Sequence, residues 1–513
     1  MSLAVVNSRA LCGMEAPSVS VEVHLANGLP AFTIVGLPDA EVRESKERVR
    51  SALQNAGFDT PPRRITVNLA PADLPKDSSR FDLPIAVGIL AASGQLRRAK
   101  LAEYEFAGEL SLSGELRPIR GALAMALAMQ RGGHQRGFIV PSANADEAAL
   151  AAGAAIYPAA NLLDVCAHFA RNGAALMRHQ AAAPQAPPGY PDFLDVKGQQ
   201  AVKRGLAVAA AGGHSVLMIG PPGCGKTMLA SRFPALLPPM TDEEALEAAA
   251  IHSLNGSFSA RQWKCRPYRS PHHTTSGPAL IGGGTVPRPG EVSLAHCGVL
   301  FLDELPEFDR RVLEVLRQPL ESGCVTISRA LQHADFPARF QLIAAMNPCP
   351  CGYKGHASGR CKCSPDRIAR YQERISGPLL DRIDIQIEVL ALGPEFMASE
   401  PDGESSAAIA ERVAAAYGRQ LARQGKPNQQ LGTREIEKLC KPDQEGEEAL
   451  RRAMIKFQWS ARSYHRVLRV ARTVADLAGS PGVCSTHVSE AVGYRRALAM
   501  RPADAQLLTA DDG

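Results

Sequence analysis

Residues 220–227 read Gly-Pro-Pro-Gly-Cys-Gly-Lys-Thr: a glycine, four residues, then Gly225-Lys226-Thr227. That spacing suits one place in a fold, the turn from a buried strand into a helix, where backbone N–H groups can point at phosphates. The flanks agree. The apolar run 216–219 enters as a strand, and 228–233 leaves as a helix that Pro234 stops. Along Gly220, Pro221, Pro222, Gly223, Cys224 and Gly225 the glycines let the available N–H groups turn inward. Lys226 can then bridge the β- and γ-phosphates of ATP, and Thr227 can ligate Mg²⁺.

A loop of this kind needs acids to manage the metal and the attacking water. Residues 298–304, Gly-Val-Leu-Phe-Leu-Asp-Glu, read as a buried strand ending in Asp303 and Glu304, with Asp303 standing 76 positions past Thr227. Asp303 can hold the metal-bound water, and Glu304 can polarise the nucleophilic water. A second buried strand, 341–346, ends at Asn347, from which an amide can orient that water. Downstream, Arg382 lies between Asp381 and Asp384 just before a strand over 385–390. Either those acids neutralise it or it reaches the γ-phosphate held by a neighbouring subunit.

The 513 residues suggest about three domains. Residues 1–170 alternate strand-like and helix-like stretches, among them a helix over 43–56 and strands over 65–69 and 138–141. The alanine- and proline-rich stretch 171–192 reads as a linker. The α/β ATPase core then occupies 193–395, and 396–513 is helical, a small bundle. Net charge is +5, which permits a nucleic-acid partner without requiring one. The N-terminus lacks a secretory pattern, and the most apolar stretch, 202–220, is interrupted by Lys203, Arg204 and His214. We therefore expect a cytoplasmic protein with no membrane partner.

Of the twelve cysteines, eight are scattered and four form two pairs, Cys349/Cys351 and Cys361/Cys363, directly after the strand that ends at Asn347. Two such pairs can converge on one tetrahedral ion. Four thiolates suit structural Zn²⁺ and leave no open position for catalysis. A reduced loop that binds nothing, or a redox-sensitive cluster, are the alternatives.

These motifs together resemble the ComM/YifB family of magnesium-chelatase-like AAA+ ATPases over nearly the whole chain. The residues that carry the resemblance are the loop at 220–227, FLDELPEF from Phe301, DVKGQ from Asp195, RPYRSPHHTTS from Arg266 and RISGPLLDRID from Arg374. The resemblance implies an α/β P-loop core with a parallel sheet and a C-terminal helical lid. It makes Asn347 the first sensor and Arg382 an arginine finger acting in trans, and it puts Val196, Gly198 and Gln199 at the adenine. Arg462 would be the second sensor, with Arg466 and Arg469 on the same helical face as competitors for that role. A finger supplied by a neighbour implies a ring, expected to be a hexamer.

In this group the N-terminal region is similar to the Lon protease domain, an α+β fold of the ribosomal-protein-S5 type. Here PKDSSRFDLPIAV from Pro75 and RPIRGAL from Arg117 stand where a protease has its catalytic motifs, which puts Arg80 in place of the nucleophilic serine and Leu123 in place of the base lysine. Neither side chain can do that chemistry. We expect a domain without peptidase activity, retained for docking or assembly, whose protein partner the sequence does not reveal.

The 76 positions between Thr227 and Asp303 exceed what a bare helix, strand and helix need, so something is inserted. Residues 281–290 read as a hairpin or loop on that insertion, and 325–340 as a second hairpin. In ring ATPases of this branch, which includes the MCM helicases, such hairpins line the pore and grip DNA. Arg288 and Arg329 are the candidate contacts with single-stranded or branched DNA, and pairing with acids of adjacent subunits is the alternative for both. His272 and His273 invite a metal reading. Neighbours on a strand point apart, so a place at a subunit boundary is expected instead. By resemblance, the work extracted from ATP is branch migration or unwinding of DNA in recombination during natural transformation. The runner-up is a chelatase- or chaperone-type motor that remodels a protein.

Overall fold

The computed structural model describes residues 2–133, 136–171, 173–180, 189–284, 287–328, 333–356, 359–391 and 403–495. Alternating burial along β1 (Leu3–Arg9), β2 (Ser18–Ala26) and β4 (Arg64–Ala70) marks strands with one covered face. With β3 (Ala31–Val35), β5 (Tyr104–Phe106), β6 (Gly137–Pro141) and β7 (Ala155–Ala159), they form a seven-stranded sheet in the order β3-β4-β2-β1-β5-β6-β7. The β1–β2 and β2–β4 ladders are antiparallel and the others parallel. Helix α1 (Ala40–Asn55) starts at Asp39, whose carboxylate accepts from the Val42 N–H, and turns Val42, Val49 and Leu53 inward. Helix α2 (Asp82–Ser93) is buried nearly all round, and Arg48 of α1 neutralises its Asp82 at 2.7 Å.

The first unit does not stand apart from the rest. Helix α3 (Ala122–Arg131) packs on α4 (Asp242–Asn255) of the second unit, and the Gly121 N–H donates to Ser253 O at 3.0 Å. One apolar cluster runs from Leu123, Met125 and Phe138 through Leu254 to Leu300 and Leu342. Residues 173–180, the first part of the expected linker, are pinned to the N-terminal sheet by the His179 N–H on Ile156 O at 2.7 Å. At the other end, Asp192 accepts from the Ser406 N–H at 2.7 Å.

The second unit is built on five parallel strands. These are β8 (Val216–Ile219), β9 (Tyr268–Arg269), β12 (Val299–Leu302), β15 (Gln341–Met346) and β16 (Ile385–Glu388), in the order β9-β12-β15-β8-β16. The three middle strands are buried at every position, as unbroken apolar runs covered on both faces should be. Short arms β10 (Gly282–Gly283) and β11 (Arg288–Pro289) form the first hairpin. The second pairs β13 (Cys324–Ser328) with β14 (His333–Pro337). Its tip, including Arg329, lies outside the described residues.

Helices make up the last described part of the chain. They include α5 (Ser406–Gln424), α6 (Thr433–Leu439), α7 (Gln444–Phe457), α8 (Ala461–Leu477) and α9 (Ser485–Gly493). α8 buries Val467, Leu468, Val470, Ala471, Val474 and Ala475 against the core. Polar groups fix its register: His214 Nε2 meets Thr473 Oγ1 at 2.8 Å, and Arg466 donates to Asp384 at 2.6 Å. Among the described residues no helix is long and apolar enough to cross a membrane.

Candidate nucleotide site

Strand β8 lies between β15 and β16, so the loop that follows it opens at the C-terminal edge of the sheet, where α/β folds place their ligands. Gly223 and Gly225 take φ of +79° and +90°, conformations that a side chain would strain, and Gly225 caps the helix Lys226–Arg232. The ammonium of Lys226 is buried. It donates to Gly220 O at 2.7 Å, Pro221 O at 2.9 Å and Asn347 Oδ1 at 3.2 Å. Asn347, at the end of β15, is thus brought onto the loop lysine.

Thr227 Oγ1 donates to Asp303 Oδ2 at 2.7 Å, closing the gap of 76 positions. A hydroxyl and a carboxylate oxygen side by side at the mouth of a glycine cradle suit a hard cation such as Mg²⁺. Glu304 follows in the left-handed region, at φ +51°, with its N–H on Asp303 Oδ1 at 2.9 Å. Its carboxylate is half-exposed and meets His273, whose Nδ1 lies 3.4 Å from Glu304 Oε2. His272 and His273 do not point apart as strand neighbours would. They follow β9 in a turn, with ring centroids 4.0 Å apart.

At the expected adenine position, Val196 is buried and its carbonyl accepts from Lys203. Gly198 and Gln199 both take positive φ, and Gln199 Nε2 donates to Leu390 O at 2.7 Å, beyond the end of β16. Arg382 pairs with neither neighbouring acid. It is buried against Glu321 and Pro378 O, and its Nε has no hydrogen-bond partner. Asp381 faces Arg495 instead, and Asp384 faces Arg466 and His214. Of the three lid arginines, Arg462 is exposed on the first turn of α8, Arg466 is engaged by Asp384, and Arg469 donates to Leu431 O at 2.6 Å.

Three of the four paired cysteines bring their sulfurs within 3.4–3.7 Å of one another, and all four have sulfurs within 4.8 Å. Tetrahedral zinc with Zn–S bonds near 2.3 Å needs sulfurs about 3.8 Å apart, so the donor set fits the ion in kind and size. Within the cluster the Tyr353 N–H and the Cys349 thiol lower the pKa of Cys351 to about 6, whereas those of Cys361 and Cys363 are raised, Cys361 to about 11. Gly352 of this loop lies against the phosphate loop, where a Cβ would come within 2.6 Å of Pro222 Cδ. Neither that contact nor the His273–Glu304 pair was legible in the sequence.

Arg288 is exposed, at the edge of a cavity shared with Arg80 and Arg120 of the first unit. Arg80 is fully buried, which lowers its pKa. Its Nε donates to Ser78 Oγ at 2.8 Å. Leu123 is buried in the core, Ser79 bonds Glu109, and Lys76 bonds Pro71 O. Among the described residues of this region no serine meets a lysine.

Residues 21–144 match the family described as subunit ChlI of Mg-chelatase, 192–396 the family described as magnesium chelatase, subunit ChlI, and 403–495 its C-terminal family. The chain is 50% identical to the competence protein ComM of Haemophilus influenzae, over 96% of this chain and 98% of that one. It is 48% identical to YifB of Salmonella typhimurium and 49% identical to YifB of Escherichia coli, each over 96% of this chain and 97% of the relative. A match of that depth and extent, on a fold with a parallel sheet, a phosphate-type loop and a helical C-terminal region, is decisive: the chain belongs to the ComM/YifB family of magnesium-chelatase-like AAA+ proteins.

Proposed function

We propose that this protein is an ATP-hydrolysing ring motor that acts on DNA, as a branch-migration or helicase factor in recombination of incoming DNA. The observation that carries the ATPase half is the 2.7 Å contact of Thr227 with Asp303 beside the Lys226–Asn347 contact. On this reading Lys226 leaves its carbonyl partners for the β- and γ-phosphates. Thr227 and Asp303 hold Mg²⁺, which neutralises phosphate charge. Glu304 accepts the proton of the attacking water, Asn347 orients that water, and Val196, Gly198 and Gln199 border the adenine. Arg382 swings from Glu321 to a neighbour's γ-phosphate, and its unpartnered Nε supports a conformation that assembly completes. Arg462, exposed on the lid, is the second sensor. The four cysteines hold a structural zinc.

The DNA half is supported by the two hairpins, Arg288 among their residues, and by the likeness to a competence protein. The first unit keeps a Lon-like fold without a catalytic dyad, for docking or assembly, and the protein works in the cytoplasm. A forked DNA with one labelled strand tests the proposal. Wild type should separate or migrate the strands with ATP, and Glu304→Gln should not. No strand movement under any ATP condition would favour the protein-remodelling motor.

A further inference from the structure

The whole chain carries a net charge of only +5, yet the loop and helix beside the phosphate loop carry a local excess of positive charge. Between Cys351 and Gln372 stand five basic residues, Lys354, Arg360, Lys362, Arg367 and Arg370, against the single acid Asp366. All five are exposed, and none has an ion-pair partner among the described residues. Nearby cations outside this stretch are matched by acids: Arg374, just beyond, is paired with Glu307 at 2.9 Å, and Arg269 and Arg339 with Glu291 and Glu247.

The backbone under these cations is held on both sides. Arg360 and Lys362 flank Cys361, within the sulfur cluster. Arg367 and Arg370 lie one helical turn apart on the helix Pro365–Gln372, which Ser364 caps. Unpaired cations on a braced surface suit a repeating anion better than a folded protein partner, whose rim acids would contribute little each. A phosphodiester backbone is such an anion.

We propose that the cysteine-pair loop and the helix after it form a sequence-independent contact for the DNA phosphate backbone. The inference rests on the DNA-motor reading and adds a surface to it, separate from the hairpin carrying Arg288. It also supplies a route from DNA to ATP. The loop that would take the phosphates packs through Gly352 on Pro222 of the nucleotide loop.

Anisotropy of a fluorescein-labelled single-stranded oligonucleotide, titrated with full-length protein over a range of salt concentrations, tests it. Each cation that meets a phosphate contributes roughly 0.7 to the slope of log affinity against log salt. The variant K354Q/R360Q/K362Q/R367Q/R370Q should therefore lower that slope by about 2 or more. R360K/R367K/R370K, which keeps the charge, should bind like wild type. A wild-type slope in the five-site variant overturns the proposal, whether or not the ring still assembles. If the five-site variant has lost zinc by metal analysis, R367Q/R370Q, beyond the last cysteine, decides: a slope lower by roughly 1.4 supports the contact, and an unchanged slope overturns it. Absence of binding by wild type would overturn the DNA-motor reading and this inference with it, whereas a wild type that binds and a variant that binds equally overturns the inference alone.

Discussion

Lys226 directs its N–H donors at two loop carbonyls and at Asn347, and Glu304 sits in a left-handed turn beside His273, so individual substitutions should have separable effects. Lys226→Ala should abolish ATP binding, read by fluorescent-nucleotide titration. Glu304→Gln should retain ATP affinity and lower hydrolysis by about 10²–10⁴-fold, and unchanged turnover would show that Glu304 is not the base. Arg382→Ala should slow the assembled ring by roughly 10³-fold. Mixing it with Lys226→Ala subunits should restore part of the rate, because each variant supplies what the other lacks; no restoration would make the arginine act in cis. At this scale the loop and its acids were legible because phosphate and metal chemistry dictates residue types at fixed spacing. The partner of Arg382 was not. Its nearest acids in sequence, Asp381 and Asp384, are drawn off by Arg495 and by Arg466 with His214, and Glu321, far away in sequence, takes their place.

Among elements, the join of lid to core depends on Asp384 at the start of β16. Burial alone would raise its pKa, but Arg466 of α8 and His214 outweigh burial and hold the carboxyl well below the usual carboxylate range. A depressed pKa means that this contribution is fully present above the unfolded value, about 4, and is lost as pH falls toward the folded value. Asp384→Asn should destabilise the protein by about 3–5 kcal/mol near neutral pH and flatten the acid side of its stability profile, read by denaturant melts across pH. The cysteine loop makes a second test. The purified protein should carry one zinc per chain, and Cys361→Ser or a strong chelator should remove it and loosen the loop that rests on Pro222. Strands and helices were largely readable from the hydrophobic pattern, β8, β12 and β15 as short unbroken apolar runs. What that pattern could not give was the packing of α3 on α4, since the apolar faces of two amphipathic helices do not name each other.

For the whole molecule, an expected separation became a continuous body: the stretch read as a linker begins tied to the first sheet, and a single core passes from Leu123 to Leu342. Composition marked 171–192 as rich in alanine and proline but not the backbone hydrogen bond from His179 within it to Ile156. A first unit packed on the insertion that bears Arg288 is suited to move with the ATPase rather than to hang from it. Coupling of DNA to hydrolysis is therefore the property on which the account depends. The direct measurement is the steady-state ATPase rate of the assembled protein with and without branched DNA at fixed salt. DNA should accelerate hydrolysis severalfold, with the gain fading as salt rises; a rate that is the same with and without DNA would contradict a DNA motor.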